Sequence, residues 1–367
     1  MKKICFVSTT SFSIENFLKD LILTLSKRYK VFIICTDSSK LKKFFKNKNI
    51  RLIEININRK INIFKDIKSL VKIFYFLKKN KIDIVHSIMP KSGLLSCLAS
   101  FFSNTKVRVH TFTGQVWCNM SFLKKFFFIK IDEIIFLLNT HILADSFSQK
   151  KFLERNLNHK NKLKVLANGS ISGFDIDKFK KIKNKKNKKK TYKILYLGRI
   201  TKDKGVMDLI EAYEIVKKRM NIELIIAGKL DDEEIKHQFL NKLHKNNIRW
   251  IKNNLNIKKA FLNKDLFCSL SLREGFGNTI IEANLAKLPV LITNIYGHGD
   301  IIKNKLYSRK VEPQNIADIV KNLEIILNNL NSYKKRINSN IFKIKRLYSK
   351  KIVIDKYLKF YDKCLIN

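Results

Sequence analysis

The sequence predicts an α/β protein of two domains, each a parallel sheet covered by helices, and three observations carry that expectation. Short apolar runs alternate with amphipathic helical stretches from one end of the chain to the other, the pattern of parallel strands joined by helical crossovers. The length, 367 residues, allows two domains with a full core each. The apolar content of 45% suits a globular chain, and no period of about 20 to 50 residues repeats, so a solenoid is excluded.

In chain order, strands are expected at residues 4–7, 31–35, 82–85, 107–110, 142–144, 164–166, 194–197, 223–227, 266–271 and 290–293. The opening M-K-K-I-C-F-V-S reads as the first strand and not as a signal peptide. After it, residues 8–13 (S-T-T-S-F-S) form a hydroxyl cluster able to cap a helix or to donate to a phosphate. His86, Lys91 and Ser92, in V-H-S-I-M-P-K-S-G, follow the third strand, and His110 ends the fourth before a Thr/Gly loop. At a strand end a side chain can face a ligand cleft, while a histidine there also serves as an ordinary polar residue with its hydrogen bonds satisfied. Residues 117–138 interleave Trp117, Met120, Phe122, Phe126, Phe127, Phe128 and Ile129 with Lys124, Lys125 and Lys130. That stretch reads first as a core helix, and second as an interfacial surface whose lysine edge touches lipid. Residues 178–190 hold nine lysines and no acid, a self-repelling run expected to stay solvated as a hinge or as a loop beside one. Residues 341–365 are helical in pattern and basic.

The chemistry concentrates at two turns. The strand K-I-L-Y-L-G-R, residues 193–199, runs into G-R-I-T-K-D-K-G, residues 198–205, which opens a helix at 206–219. Arg199 and Lys204 thus flank a strand-to-helix turn, where the macrodipole disfavours cations and a diphosphate would welcome them. In so lysine-rich a chain Lys204 by itself also reads as an ordinary surface lysine. Downstream, the apolar run 265–271 leads into E-G-F-G-N-T-I-I-E, residues 274–282. Two carboxylates, Glu274 and Glu282, bracket a glycine turn at the carboxyl end of a strand, the place where open α/β sheets bind ligands. Gly275 and Gly277 let the backbone approach a ligand closely, and Asn278 and Thr279 suit a helix start whose free amides point at the cleft. Glu282 alone would read as a solvated helix residue. With Glu274, Arg199 and Lys204 it suggests a sugar-nucleotide site.

Taken together these residues resemble glycosyltransferase family 4, retaining transferases of the GT-B architecture in which two Rossmann-like domains face each other across a cleft. The resemblance spans nearly the whole chain. G-R-I-T-K-D-K-G looks like the family's phosphate clamp, L-I-I-A-G at 224–228 like its next strand, and E-G-F-G-N-T-I-I-E like its E-x7-E signature. H-T-F-T-G-Q-V-W at 110–117 and L-A-N-G-S-I-S-G-F-D at 166–175 are similar to a bacterial subgroup that builds surface polysaccharides. The resemblance implies that Arg199 and Lys204 bind the donor diphosphate. Glu274 and the amides of Phe276, Gly277 and Asn278 would hold the donor sugar, Glu282 the ribose hydroxyls, and His110 would be a catalytic cleft histidine beside Glu274. It further implies an acceptor domain over residues 1–179, a lysine-rich linker at 180–190, a donor domain at 191–345, and a terminal helix at 346–367 crossing back to the first domain. Two departures stand out: the hydroxyl loop 8–13 replaces a glycine-rich turn, and Y-G-H-G-D at 296–300 separates with His298 two glycines that relatives pair.

The formal charge of +45 has three readings: drift toward A/T-rich codons, attraction to anionic lipid, or nucleic-acid binding, for which no motif is present. The six cysteines lack C-x-x-C spacing and read as reduced, mostly buried thiols. With no D-x-D or His/Asp cluster beyond His298 and Asp300, metal-independent chemistry without a cofactor is expected, the cations and amides neutralising charge. No run is long and uncharged enough to span a bilayer, so the expected location is cytoplasmic, with peripheral contact to an anionic membrane as a further expectation and no nucleic-acid partner. The expected reaction moves a hexose or N-acetylhexosamine from a nucleoside-diphosphate sugar, UDP-sugar first, to a saccharide or polyprenyl-diphosphate-linked acceptor with retention, for cell-surface polysaccharide. Two alternatives compete: a UDP-sugar epimerase of the same architecture, and a non-enzymatic basic protein that binds lipid or nucleic acid through its lysines.

Overall fold

The computed structural model describes residues 1–157, 162–180, 191–252, 257–301 and 307–366. The chain divides into two compact units, one of residues 1–173 with 350–367 and one of residues 174–349.

The first unit is built on a seven-stranded sheet of β1 (Lys3–Thr10), β2 (Lys30–Thr36), β3 (Ile50–Glu54), β4 (Ile84–Ile88), β5 (Val107–Phe112), β6 (His141–Ala144) and β7 (Leu163–Lys164), in the order β3-β2-β1-β4-β5-β6-β7. Every pair is parallel. Alternate residues of a strand serve opposite faces: Ile4 and Phe6 join a core cluster with Ile33 and Tyr361, while Cys5 and Val7 join another with Ile34 and Leu77. Both faces are therefore covered, which is why the central strands read as continuous apolar runs.

The second unit repeats the plan with six parallel strands: β8 (Tyr192–Leu197), β9 (Ile222–Ala227), β10 (Arg249–Ile251), β11 (Leu266–Ser269), β12 (Val290–Thr293) and β13 (Ser308–Val311). Their order is β10-β9-β8-β11-β12-β13. The chain winds outward from β8 to β10, then returns to β11 and winds the other way. β8 and β11 thus flank the switch point of the sheet, and the loops leaving their carboxyl ends diverge there to form a crevice.

Three strands escaped the sequence pattern, and all three are edges: β3, β10 and β13. An edge strand is half solvated and carries charges, such as Arg51 and Glu54 in β3 or Arg309 and Lys310 in β13, which breaks the apolar run.

The terminal helix differs from the expected 346–367. Helix Leu330–Tyr348 ends at Ser349, whose backbone turns extended (φ −61, ψ 140), and a separate helix spans Lys350–Ile366. This last helix supplies Val353, Tyr357, Tyr361 and Cys364 to the first unit's core. The other division point lies between Gly173 and Phe174, before the 179/180 boundary expected from sequence. Residues 181–190, most of the lysine-rich linker, lie outside the described residues.

The aromatic stretch also corrects its first reading. Trp117 is fully buried and donates to Asp132 at 2.7 Å, its ring stacked on Phe152. From there on, however, helix Phe122–Leu138 buries only Asp132, Ile135 and Phe136; Phe122, Phe126 and Phe127 stand in solvent. Among the described residues no helix is long and apolar enough to cross a membrane.

Candidate functional site

The crevice between β8 and β11 brings into contact Lys204 and Glu274, two of the residues singled out by their spacing. From β8 the chain passes through Gly198 and Arg199 into a 3₁₀ turn, Lys202–Lys204, closed by Gly205 at φ 63. Only glycine fits: a Cβ at residue 205 would lie 2.0 Å from the Leu270 carbonyl oxygen. This close approach presses the first turn against the strand end that leads to Glu274. The amide of Leu272 donates to the Asp203 carbonyl at 2.9 Å, and Arg273 pairs with the Asp203 carboxylate at 2.8 Å. Two turns 70 residues apart in sequence are thereby stapled together by backbone and side chain.

Lys204 and Glu274 meet across that staple in an ion pair, and Ser271 donates to the same carboxylate oxygen at 3.1 Å. Burial would raise the Glu274 pKa, but the Lys204 charge, the nearby His298, and the hydrogen bonds from Lys204 and Ser271 outweigh it and hold the group below the usual range. Glu274 is thus a fixed carboxylate with defined partners. Behind it, Gly297 at φ 83 packs its backbone so closely that a Cβ would sit 2.5 Å from the Glu274 carbonyl oxygen. Phe276 is buried against Tyr348 and anchors the turn, leaving its backbone, not its ring, to serve a ligand. Gly277, at φ 74, is the N-cap of helix Asn278–Leu285 and provides no side-chain cap.

Glu282 lies one turn into the same helix, and burial pushes its pKa up to about 7, with Lys178 opposing weakly. Arg199 is arranged differently from Lys204. Its guanidinium is half exposed and lies 3.5 Å from Asp231, in the loop after β9; its carbonyl accepts from the buried Tyr196 hydroxyl at 2.6 Å. The crevice therefore brings Lys204 directly onto Glu274 and leaves Arg199 at the β9 side.

Sequence reading passed over several of these partners. Asp203, Arg273 and Ser271 are polar residues without a distinctive spacing, and only the contact across the switch point gives them meaning. His298 was visible as the residue between two glycines. Its ring is fully buried, Nδ1 lies 3.2 Å from the Thr293 carbonyl, Nε2 has no hydrogen-bond partner among the described residues, and burial lowers its pKa to about 4.

In the first unit, His110 lies inside β5, two residues before its end, with its ring fully buried. The ring lies under Gly93, where a Cβ would come within 2.5 Å of Cε1. Nδ1 is 2.9 Å from the Ser87 hydroxyl, and burial lowers the pKa to about 3, so the imidazole is neutral. Nε2 has no hydrogen-bond partner among the described residues. The other strand-end candidates are structural. His86 is buried between the Tyr361 hydroxyl and Thr111, Lys91 pairs with Asp66 at 2.7 Å, and Ser92 bonds back to the Ile88 carbonyl. The hydroxyl loop behaves as a cap: Thr10 accepts from the Ser13 amide, and Ser8 donates to the Thr10 carbonyl.

Residues 177–343 match the family described as glycosyl transferases group 1, and residues 3–146 match glycosyl transferase 4-like. The chain is 31% identical to the capsular polysaccharide biosynthesis glycosyltransferase CapM of Staphylococcus aureus, across 98% of this chain and 97% of that one. It is 25% identical to the UDP-Gal:alpha-D-GlcNAc-diphosphoundecaprenol alpha-1,3-galactosyltransferase of Escherichia coli, covering 83% of this chain and 81% of the other. Among solved structures, HepE of Anabaena in complex with UDP and glucose superposes with a TM-score of 0.79 at 14% identity, over 99% of this chain and 100% of that one.

Proposed function

The chain belongs to glycosyltransferase family 4, the group 1 glycosyl transferases of GT-B fold, and from that premise we propose that it transfers a hexose or N-acetylhexosamine from a UDP-sugar, with retention, to a saccharide carried on a polyprenyl diphosphate during cell-surface polysaccharide assembly. The observation that carries the reading is the Lys204–Glu274 pair, held at the switch point of the second sheet beside the helix start at Gly277. The UDP-galactose donor of the Escherichia coli relative and the UDP held by HepE support a UDP-linked donor, and the diphosphoundecaprenol acceptor of the former supports a lipid-linked acceptor.

As the bond between the anomeric carbon and the diphosphate oxygen breaks, its electron pair passes to the diphosphate. Lys204, Arg199 and the amides of Phe276, Gly277 and Asn278 would meet that growing charge, and a fixed cation aimed at a leaving group lowers the barrier more than it tightens ground-state binding. Glu274, ionised and held by Ser271 and Lys204, would bond the sugar hydroxyls and steady positive charge at the anomeric carbon. Glu282 would accept the ribose hydroxyls. His110, neutral and with an unshared Nε2, would contribute a hydrogen bond and no charge. Arg199, Lys204 and the helix amides would supply the neutralisation that a divalent ion gives elsewhere, so transfer would proceed without metal.

Incubating the enzyme with a panel of UDP-sugars and a polyprenyl-diphosphate-linked saccharide, with and without EDTA, tests the reading. A product longer by one sugar, formed equally in EDTA, is expected. A new epimer of the UDP-sugar in the absence of acceptor would replace transfer by epimerisation, and activity lost to EDTA and restored by Mg²⁺ would overturn metal independence.

A further inference from the structure

Helix Ile63–Asn80 and helix Phe122–Leu138 pack on either side of helix Pro90–Phe102, so the three cover one face of the first unit's sheet. Each carries its expected inward stripe, Ser69, Ile73 and Leu77 in one and Ile135 and Phe136 in the other. Each also carries a second apolar stripe, exposed to solvent. In the first helix Phe64, Ile67 and Val71 recur at helical spacing on the side opposite Ile73, and in the second Phe122, Leu123 and Phe126 do the same opposite Ile135. Exposure reaches 87% for Phe64, 82% for Phe122 and 80% for Leu123, values that large apolar side chains do not sustain in a contiguous patch without a partner surface. Because β3 to β6 run parallel, both helices start at the carboxyl edge of the sheet, so the two exposed stripes lie at one edge of the unit.

The charge around the stripes is of one sign. Lys65, Lys68, Lys72 and Lys124 are exposed among the apolar residues, while the acids of the same helices are already engaged: Asp66 by Lys91, Glu133 by Lys130 and Asp132 by Trp117. A second copy of the chain would bring like charges together across such a face, in a protein of formal charge +45. An anionic bilayer accepts both components, since phenyl and alkyl groups enter the acyl boundary while ammonium groups stay at the phosphates. We propose that the edge formed by the first turns of these two helices is a membrane-docking surface that inserts its phenylalanines into an anionic phospholipid leaflet. It goes beyond the donor-site reading and does not depend on it.

Flotation of the full chain with vesicles of phosphatidylcholine alone, or mixed with phosphatidylglycerol, tests the proposal without donor or acceptor present. Binding to the phosphatidylglycerol vesicles and little to phosphatidylcholine alone is expected. The triple variant Phe64→Ser/Phe122→Ser/Phe126→Ser keeps every lysine and should bind about tenfold more weakly or worse, with the same unfolding midpoint and the same UDP affinity as the parent. Phe126→Trp should give indole emission that shifts to the blue on adding anionic vesicles. Parent and triple variant binding equally would mean that lysines alone hold the lipid, and would overturn insertion. So would equal binding to neutral vesicles, no blue shift, or a parent oligomer that the triple variant dissolves while neither binds vesicles. A failed transfer assay with vesicle binding intact would count against the donor site alone.

Discussion

Glu274 and Glu282 sit eight residues apart on one turn and helix, yet their surroundings push them in opposite directions. Glu274 is held down by Lys204 and Ser271 despite its burial, whereas Glu282 has only Lys178 to offset burial and rises to about 7. Removing Glu274 also removes the counter-charge of Lys204, so Glu274→Ala should lower turnover by about two to four orders of magnitude while UDP affinity does not fall; steady-state kinetics beside calorimetry separates the two, and near-normal turnover would reject the assignment. For Glu282 the sign runs the other way. An unfolded glutamate loses its proton near ~4.3 and the folded one near about 7, so between those values the native state binds more protons and this group's contribution to stability is lost as pH rises. If ribose hydroxyls bond the ionised form, UDP binding should release a proton near about pH 7, visible as a calorimetric heat that depends on buffer ionisation. Glu282→Gln should abolish that dependence, and proton release unchanged in the variant would assign it elsewhere. The E-x7-E spacing was legible in the sequence, but these opposite environments were not: they arise chiefly from Lys204 and Lys178, which become neighbours of the two glutamates only when the sheet is wound.

At the scale of elements, the glycines hold the site. Gly205→Ala would force a Cβ against the Leu270 carbonyl at a φ of 63, costing about 1 to 3 kcal/mol, and the strain would fall on the turn that presents Lys204. A lower denaturation midpoint together with weaker UDP binding is expected; a variant with parental stability would show that the close approach is not required. The central strands could be read because both of their faces are buried and their residues are apolar throughout. β3, β10 and β13 could not, since edge strands with Arg51, Arg249 or Arg309 lack that signature. The helix after Trp117 misled for the converse reason: its aromatics have the composition of a core, and only the structure reveals that Phe122 and Phe126 are exposed.

The whole molecule is threaded so that its last helix completes the unit that its first residues begin. Tyr361 is fully buried in that unit, donates to or accepts from His86, and stands edge-on to Phe6 in β1. Tyr361→Ala should cost about 3 to 5 kcal/mol and leave His86 short of a partner, so chemical denaturation should show a destabilised transition. If the midpoint stays in place, the last helix is an appendage and not part of the core. The fold alone fits many chemistries; what singles out this one is the meeting of Lys204 and Glu274 across the switch point, with Arg199 at its side. Calorimetric titration of UDP into the parent, Lys204→Ala and Arg199→Ala proteins tests that claim most directly. Saturable binding by the parent, about tenfold weaker or worse in each variant, is the predicted result; affinity equal in all three, or no binding by the parent, would contradict it.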